Sequence, residues 1–148
     1  MKYRIDTATA ADTETIVQFQ LAMAKESEDT VLDYATVREG VKNAIENPER
    51  AIYLLAHDDQ DQVMGSLMLT QEWSDWNNAP YFWIQSVYVR PESRRQGVFT
   101  ELFEFARLIA ESENAGALRL YVDKHNMVAQ KVYQSLGMHD SHYLMYEL

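Results

Sequence analysis

The sequence contains no cysteine and little glycine, proline or positive charge. Its 148 residues include 5 Gly and 3 Pro, which excludes collagen-like and low-complexity chains. Without cysteine there are no disulfides, thiolate metal ligands or thiol nucleophiles. Thirteen Lys and Arg stand against 23 Asp and Glu, a formal net charge of −10. This acidity argues against a broad surface for nucleic acid or anionic membrane, so neither is expected as a partner.

Hydrophobic runs of signal-peptide or membrane-spanning length are also lacking. No stretch approaches the roughly 20 apolar residues that a membrane helix needs. The chain is 47% hydrophobic, and its length is typical of one domain. Residues 1–148 are therefore expected to fold as a single domain around one core. A cytoplasmic location is the default expectation.

Hydrophobic periodicity predicts an α/β (mixed α+β) fold. The predicted order is β-α-α-β-β-β-α-β-α-β, which gives a central mixed, mostly antiparallel twisted sheet of six to seven strands flanked by about four helices. Capping boxes at 9–12 and 36–39 predict the starts of the first two helices. In the long strand 81–89, alternate residues are expected to share one face. Residues 118–122 and 142–148 are predicted to form the last two strands, with a helix over 127–136 between them.

The segment 87–100 is the first candidate site. It reads as a strand, a turn with two arginines and a glycine, and a helix start. The first turn of a helix has unpaired N–H groups that attract phosphate, and Gly97 allows the backbone to approach a ligand closely. Three arginines and one glutamate give residues 90–100 a net charge of +2. The segment alone fits either an anion-binding turn or a basic loop capping a surface helix.

A second motif follows and has the pattern Asn126-x-x-Ala129-x-x-x-Tyr133-x-x-x-Gly137. Together the two motifs resemble the GCN5-related N-acetyltransferase (GNAT) superfamily. Its acetyl-CoA signature is a hydrophobic strand, a proline and Arg-x-x-Gly-x-Gly/Ala at a helix start, and this chain supplies Val87-x-Val89-x-Pro91 and Arg94-x-x-Gly97-x-Phe99. Phe99 departs from the signature, because a small residue is usual there. The resemblance implies the acyl-CoA N-acyltransferase fold and an acetyl-CoA-dependent N-acetyltransferase activity.

The resemblance also implies how acetyl-CoA would bind, with no metal involved. The backbone of Val87, Tyr88 and Val89 would pair with the pantetheine arm as with an added strand, in a gap facing 120–122 that a bulge opens. Asn126 would contact the same arm, and its alternative role as an N-cap is compatible with this. The diphosphate would be held by Arg94 and by the backbone amides of Arg95, Gln96, Gly97, Val98, Phe99 and Thr100.

Tyr133 matches the family position of the general acid. A hydroxyl with a pKa of about 10 can protonate a departing thiolate, whose thiol has a pKa of about 8.5. The alternative is a core aromatic on a helix that also carries Val132 and Leu136. The resemblance implies direct transfer of acetyl from the thioester to an amine, without a covalent enzyme intermediate.

Acidic residues among aromatics in 71–78 suggest where the acceptor binds. Glu72 is the candidate base, acting directly or through a water, and Asp75 would hold the ammonium group. Trp76 and Gln85 complete the candidate substrate-binding set. An exposed loop with solvated acids, and with tryptophans covering the core or a dimer contact, is an equally good interpretation. Residues 1–74 carry a net charge of −8, which favours a cationic acceptor, either a small amine or a peptide amino group.

Two further questions stay open at this level. A non-catalytic acyl-CoA-binding sensor or interaction module on the same fold is the alternative to an enzyme, because Phe99 departs from the signature and the base is not identified. A homodimer is a family-level expectation, with 73–76 or the C-terminal strand as contacts. The four histidines do not have the spacing of a metal-ligand set.

Overall fold

Five strands form one sheet in the order β1-β2-β3-β4-β5 in the computed structural model, which describes residues 2–148. The strands are β1 (Arg4–Thr7), β2 (Ile52–His57), β3 (Val63–Ser74), β4 (Ala79–Val89) and β5 (Leu118–Arg119). The helices are α1 (Thr13–Glu28), α2 (Tyr34–Glu46), α3 (Val98–Ser112) and α4 (Met127–Ser135). Strands β1 to β4 are antiparallel to their neighbours, whereas β5 runs parallel to β4. The predicted α/β class, with a mixed and mostly antiparallel sheet, is confirmed.

The predicted count of six to seven strands is wrong. Within residues 2–148 the sheet has five strands, and 142–148 pairs with none of them. In that segment Tyr143, Leu144, Met145 and Tyr146 are all exposed. The predicted strand 118–122 shortens to two residues, because the chain pairs with β4 only there. Alternating side chains indicate an extended backbone, but a strand also needs a partner edge, which a local pattern does not reveal.

Strand β2 lies at the centre of the core and is buried on both faces. Leu54 and Ala56 belong to one hydrophobic cluster with α3, and Tyr53 and Leu55 belong to another with α1 and α2. Because successive side chains of a strand point to opposite faces, the sheet lies between two helical layers. Val98, the first residue of α3, is fully buried in the first cluster. This packing fixes the start of α3 beside the end of β4.

The helix starts test the two predicted capping boxes. At the first, the backbone N–H of Thr9 donates to Asp12 Oδ2 at 2.8 Å, and the capping box is present. It caps a 3-10 turn of Ala10–Asp12 that leads into α1, so α1 itself begins three residues later than this box indicates. The second prediction is wrong, since α2 begins at Tyr34 and its N-cap is Asp33. The Asp33 carboxylate accepts from the backbone N–H of Thr36 at 2.9 Å. A carboxylate three residues earlier caps this helix, so its start precedes Thr36.

Close packing between β3 and β4 leads to a prediction about Gly65. A Cβ at Gly65 would lie 2.8 Å from the backbone oxygen of Tyr88 and 3.0 Å from Val98 Cγ1. We expect Gly65→Ala to lower the free energy of unfolding by about 1–3 kcal/mol in urea denaturation. The matched control is Gly40→Ala in α2. A Cβ built at Gly40 meets no packing neighbour within 4 Å, and alanine favours helix, so this variant should not lose stability. A Gly65→Ala protein as stable as wild type would contradict this packing.

Candidate active site

A β-bulge interrupts β4 near its end. Tyr88 pairs with Ser66 and Gln85 pairs with Met68, so two residues of β4 lie opposite the single residue Leu67. Ser86, inside this bulge, has a φ of 52°, which is a left-handed conformation. An extra residue of this kind bends a strand and disrupts the ladder locally. The bulge therefore redirects the end of β4 relative to its neighbours.

The bulge also reverses which side chains share a face. Before it, Phe82 and Ile84 are buried in the cluster formed with α3. After it, Val87 and Val89 pack against the same cluster, while the Tyr88 ring lies 4.9 Å from that of Phe19 in α1. The expectation that alternate residues of 81–89 share one face is therefore wrong. Side chains alternate regularly before Ser86 and again after it. The extra residue shifts this two-residue period by one, so the residues that face the α3 cluster are even-numbered before the bulge and odd-numbered after it.

A cleft of about 380 Å³ lies where β4 and the chain after β5 diverge. The two strands pair only at Phe82 with Leu118 and at Trp83 with Arg119, so within residues 2–148 no strand is paired with the following residues of β4 on that side. The cleft is lined by residues of four segments, namely Met23 and Ser27, Ile84 to Val87, Leu120 to Asp123, and Asn126 with Tyr133.

The sequence placed this gap opposite 87–89. In the structure Val87 lines the cleft, and Tyr88 and Val89 continue the strand toward the turn before α3. Gln85 also lines the cleft, and its Nε2 donates to Thr70 Oγ1 at 2.9 Å. The gap thus begins earlier along β4 than expected, and it includes one of the residues predicted to contact the acceptor.

The turn at the start of α3 presents a run of free amides. Among residues 2–148, the backbone N–H groups of residues 95–100 make no hydrogen bond. Arg95 and Gly97 have φ values of 62° and 85°. Left-handed residues in such a turn direct successive N–H groups to one side, where they form a concavity for anions. All six amides predicted to hold a diphosphate therefore share this property.

The two arginines of the turn have different surroundings. Arg94 Nη2 lies 2.7 Å from Glu26 Oε2, and its Nε donates to the backbone oxygen of Val89 at 2.9 Å. This side chain ties the turn to α1 and β4. The exposed Arg95 makes no side-chain hydrogen bond or ion pair in the part of the chain that the structure describes. Arg95 is thus the positive charge that remains available to a ligand.

Tyr133 extends from α4 into the cleft. Its ring meets that of Phe99 edge-on, with centroids 5.6 Å apart and an interplanar angle of 62°. Burial raises the pKa of the Tyr133 hydroxyl above its ordinary value. The hydroxyl therefore stays protonated at neutral pH, as a proton donor must. Asn126, which precedes α4, accepts from the backbone N–H of Ala129 at 3.1 Å and is the N-cap of this helix.

Glu72 lies beside the cleft rather than in its lining. Its Oε1 accepts from Trp83 Nε1 at 3.1 Å, and its Oε2 is 3.8 Å from Arg119 Nη1. The Trp83 ring is 5.7 Å from that of Tyr121, which does line the cleft. Sequence reasoning missed Arg119 and Tyr121. Both residues belong to the strand predicted over 118–122, which was expected to face β4 across the gap. That position could have identified them as candidates.

The structure does not bring Asp75 and Trp76 to the cleft. Both lie in the turn between β3 and β4, where the Trp76 side chain is 93% exposed. From Gln85 to Ala79 the strand advances six residues, or about 20 Å. A ligand in the cleft would have to be long to reach this turn.

Two further observations concern metals and membranes. Within residues 2–148, no three or more His, Asp or Glu side chains are grouped so that they could hold a metal ion. Over the same residues, the helices are too short or too polar to cross a bilayer.

The fold is that of an acyltransferase. Residues 15–138 match the family model for the Acetyltransferase (GNAT) family, so this chain belongs to that family, which uses acetyl-CoA. The resemblance seen in the two sequence motifs is thereby confirmed. None of the curated proteins is a significant match to the chain.

Solved structures agree with this assignment. A possible acetyltransferase from Clostridium difficile 630 is 39% identical, with a TM-score of 0.92 over 100% of this chain and 97% of that one. A probable acetyltransferase is 26% identical, with a TM-score of 0.88 over 98% and 96%. A predicted acetyltransferase from Clostridium acetobutylicum, with acetyl-CoA, is 16% identical and has a TM-score of 0.77 over 98% and 96%. This last likeness shows the fold alone.

Proposed function

We propose that this protein is an acetyl-CoA-dependent N-acetyltransferase that transfers acetyl directly to a primary amine. The acceptor is a small cationic amine or a peptide amino group. The observation that carries the proposal is one cleft that has Tyr133 in its wall, a bulged strand with an open edge along it, and free amides in the turn where that strand ends.

The cleft and the turn before α3 fit the successive parts of acetyl-CoA. The unpaired amides of 95–100 and the free side chain of Arg95 suit a diphosphate, because N–H groups at a helix start attract anions. The open edge of β4 suits the amide groups of a pantetheine arm, which would add to it like a strand. Asn126 and Val87 would contact that arm from opposite walls. When bound, acetyl-CoA supplies the reactive thioester.

In the proposed reaction the amine nitrogen attacks the thioester carbon. A C–N bond forms, the C–S bond breaks, and the departing thiolate takes a proton from the Tyr133 hydroxyl. The acceptor first loses one proton to become the neutral amine that attacks, and it gives up a second proton to a base as the amide forms. The resulting tyrosinate is reprotonated from solvent, since Tyr133 makes no side-chain hydrogen bond within residues 2–148.

We assign the base to Glu72, acting through a water. Its carboxylate lies beside the cleft and accepts a hydrogen bond from Trp83 Nε1, and the Trp83 ring is 5.7 Å from that of Tyr121 in the lining. Asp123 lines the cleft itself, where its Oδ1 accepts from the backbone N–H of His125 at 2.7 Å. We expect Glu72→Gln to lower kcat/KM for the amine about tenfold and to leave the KM for acetyl-CoA unchanged, because only the acceptor side is altered. Steady-state CoA release measures both constants.

The matched comparison is Asp75→Asn. It removes a carboxylate from the turn between β3 and β4, which lies about 20 Å along β4 from the cleft. A small amine would be insensitive to this change, whereas a peptide acceptor long enough to reach the turn would show a higher KM. Unchanged constants for Glu72→Gln with every acceptor would contradict the assignment of the base.

The activity itself is tested by CoA release over a panel of polyamines, amino acids and peptides. Turnover with a cationic amine is the expected result. The alternative is an acyl-CoA-binding sensor on the same fold. Tight acetyl-CoA binding in calorimetry without turnover on any amine would favour the sensor. Absence of acetyl-CoA binding would contradict both functions.

We also propose that the protein is cytoplasmic and forms a homodimer. The absence of cysteine supports the first proposal. The second is supported by the exposed apolar residues of 143–148 and by the unpaired outer edge of β5. Sedimentation of the full chain should give twice the monomer mass. Deleting 142–148 should give the monomer, and a monomeric full chain would contradict the proposal.

A further inference from the structure

Phe99 occupies a junction between the diphosphate turn and the proposed acid. It is the second residue of α3, and its backbone N–H is one of the free amides of the turn. Its ring lies 6.1 Å from that of Phe103 and 5.6 Å from that of Tyr133, measured between centroids. The side chain that departs from the acetyl-CoA signature thus packs on the tyrosine instead of lying free.

Helix α4, which carries Tyr133, lies largely at the surface. No residue of α4 is fully buried, and Val128 and Val132 of that helix are exposed. Within residues 2–148 the Tyr133 hydroxyl makes no hydrogen bond that would fix the ring. Edge-on contact between aromatic rings is directional, so the Phe99 ring favours one orientation of its neighbour. Phe103, buried in the core, supports Phe99 from the other side.

We propose that Phe99 is a positioning residue that holds the Tyr133 ring in the orientation needed to protonate the leaving thiolate. This inference rests on the proposed function. Because Phe99 contributes its N–H to the turn and its ring to Tyr133, the same residue links the site of the diphosphate to the site of proton transfer. A small residue at this position would supply the N–H alone.

The opposite interpretation is that Phe99 is a tolerated bulk that crowds the diphosphate. The two interpretations predict different kinetics for Phe99→Ala, which keeps the backbone N–H and restores a small side chain. A positioning residue lost in this way lowers kcat and leaves the KM for acetyl-CoA nearly unchanged. A crowding residue removed in this way leaves kcat unchanged and lowers that KM.

The kinetic test compares Phe99→Ala, Phe99→Leu and a control, Phe105→Leu. Phe105 also lies on α3 and packs against the same core cluster. We expect Phe99→Ala to lower kcat about tenfold, with the KM for acetyl-CoA within about twofold of wild type. Phe99→Leu should recover part of the loss, and Phe105→Leu should leave both constants unchanged. An unchanged kcat for Phe99→Ala would overturn the proposal.

Combination with Tyr133→Phe separates this inference from the proposed function. In that background, Phe99→Ala should lower kcat no further, because its effect passes through the Tyr133 hydroxyl. A Tyr133→Phe protein with the kcat of wild type would contradict the proposed acid. A further loss of kcat on adding Phe99→Ala would overturn the positioning role of Phe99 and leave the proposed acid intact.

A second readout needs no acceptor amine. In protein labelled at tyrosine Cζ, NMR follows the titration of Tyr133, identified by its absence from Tyr133→Phe. The titratable groups that share the cleft with it are Tyr121 and Asp123, and the residues that α1 contributes there do not ionise. The Phe99 ring packs edge-on against that of Tyr133, so its removal should reduce the burial that raises the pKa of the hydroxyl. We expect this pKa to fall in Phe99→Ala and to stay unchanged in Phe105→Leu. Equal values in wild type and Phe99→Ala would overturn the proposal.

Discussion

Replacing Tyr133 with phenylalanine is expected to lower kcat about 100-fold and to leave the KM for acetyl-CoA within about twofold. The substitution removes one hydroxyl and keeps the ring that contacts Phe99. Without a proton donor, the C–S bond must break to a free thiolate, which raises the barrier. Fold stability should hardly change, because the hydroxyl makes no hydrogen bond within residues 2–148. Stopped assays of CoA release with the best amine give both constants.

The pH profile gives this prediction a second signature. Burial raises the pKa of the Tyr133 hydroxyl, and an acid must be protonated to act, so wild-type kcat should fall only as pH rises through that elevated pKa. In Tyr133→Phe this alkaline decline should be absent. The opposite pH trend, with activity rising as the hydroxyl ionises, would assign Tyr133 as a base.

Tyr53 provides the matched control. Burial raises the pKa of its hydroxyl as well, but it lies in the core between β2 and the α1–α2 layer, away from the cleft. Tyr53→Phe should therefore keep wild-type kcat and its alkaline decline. Equal losses in the two variants would show that the effect is structural rather than catalytic.

Local chemistry explains why much of this site was predictable from the sequence. The turn of 94–100 was found because Gly97 and the helix start lie in one contiguous segment, and the structure gives Gly97 a φ of 85°. Tyr133 was found because it matches the family position seven residues after Asn126, a spacing that puts both residues on one side of α4, and both line the cleft. Signals of this kind depend on neighbours in the chain.

Contacts between distant segments explain what was missed. The family resemblance implied a bulge beside this strand, but Ser86 adopts a left-handed φ that its residue type does not signal, so neither the position of the bulge nor the reversal of faces in β4 was predicted. Arg94 finds its partner Glu26 on α1, 68 positions away in the sequence. The cluster of Glu72, Trp83 and Arg119 joins three strands. Such contacts depend on register and packing, which periodicity leaves undetermined.

The free amides of the turn are useful to a diphosphate only if Gly97 keeps its left-handed conformation. We expect Gly97→Ala to weaken acetyl-CoA binding about tenfold in calorimetry. A side chain at positive φ costs about 1–2 kcal/mol, and relief of that strain rotates the neighbouring N–H groups away from the concavity. Steric obstruction inside the protein is not the cause, since no atom lies within 4 Å of a Cβ built there.

A control at Gly137 separates the effect of backbone strain on stability from the effect of the turn on acetyl-CoA binding. It too has a positive φ, of 93°, with no atom within 4 Å of an added Cβ, but it lies after α4 instead of in the turn. Gly137→Ala should lose about the same unfolding free energy as Gly97→Ala and bind acetyl-CoA with wild-type affinity. If both variants bind equally, the amides of 95–100 do not hold the diphosphate. If only Gly97→Ala weakens binding, the lost affinity measures what the oriented amides contribute, because the two backbones carry the same strain.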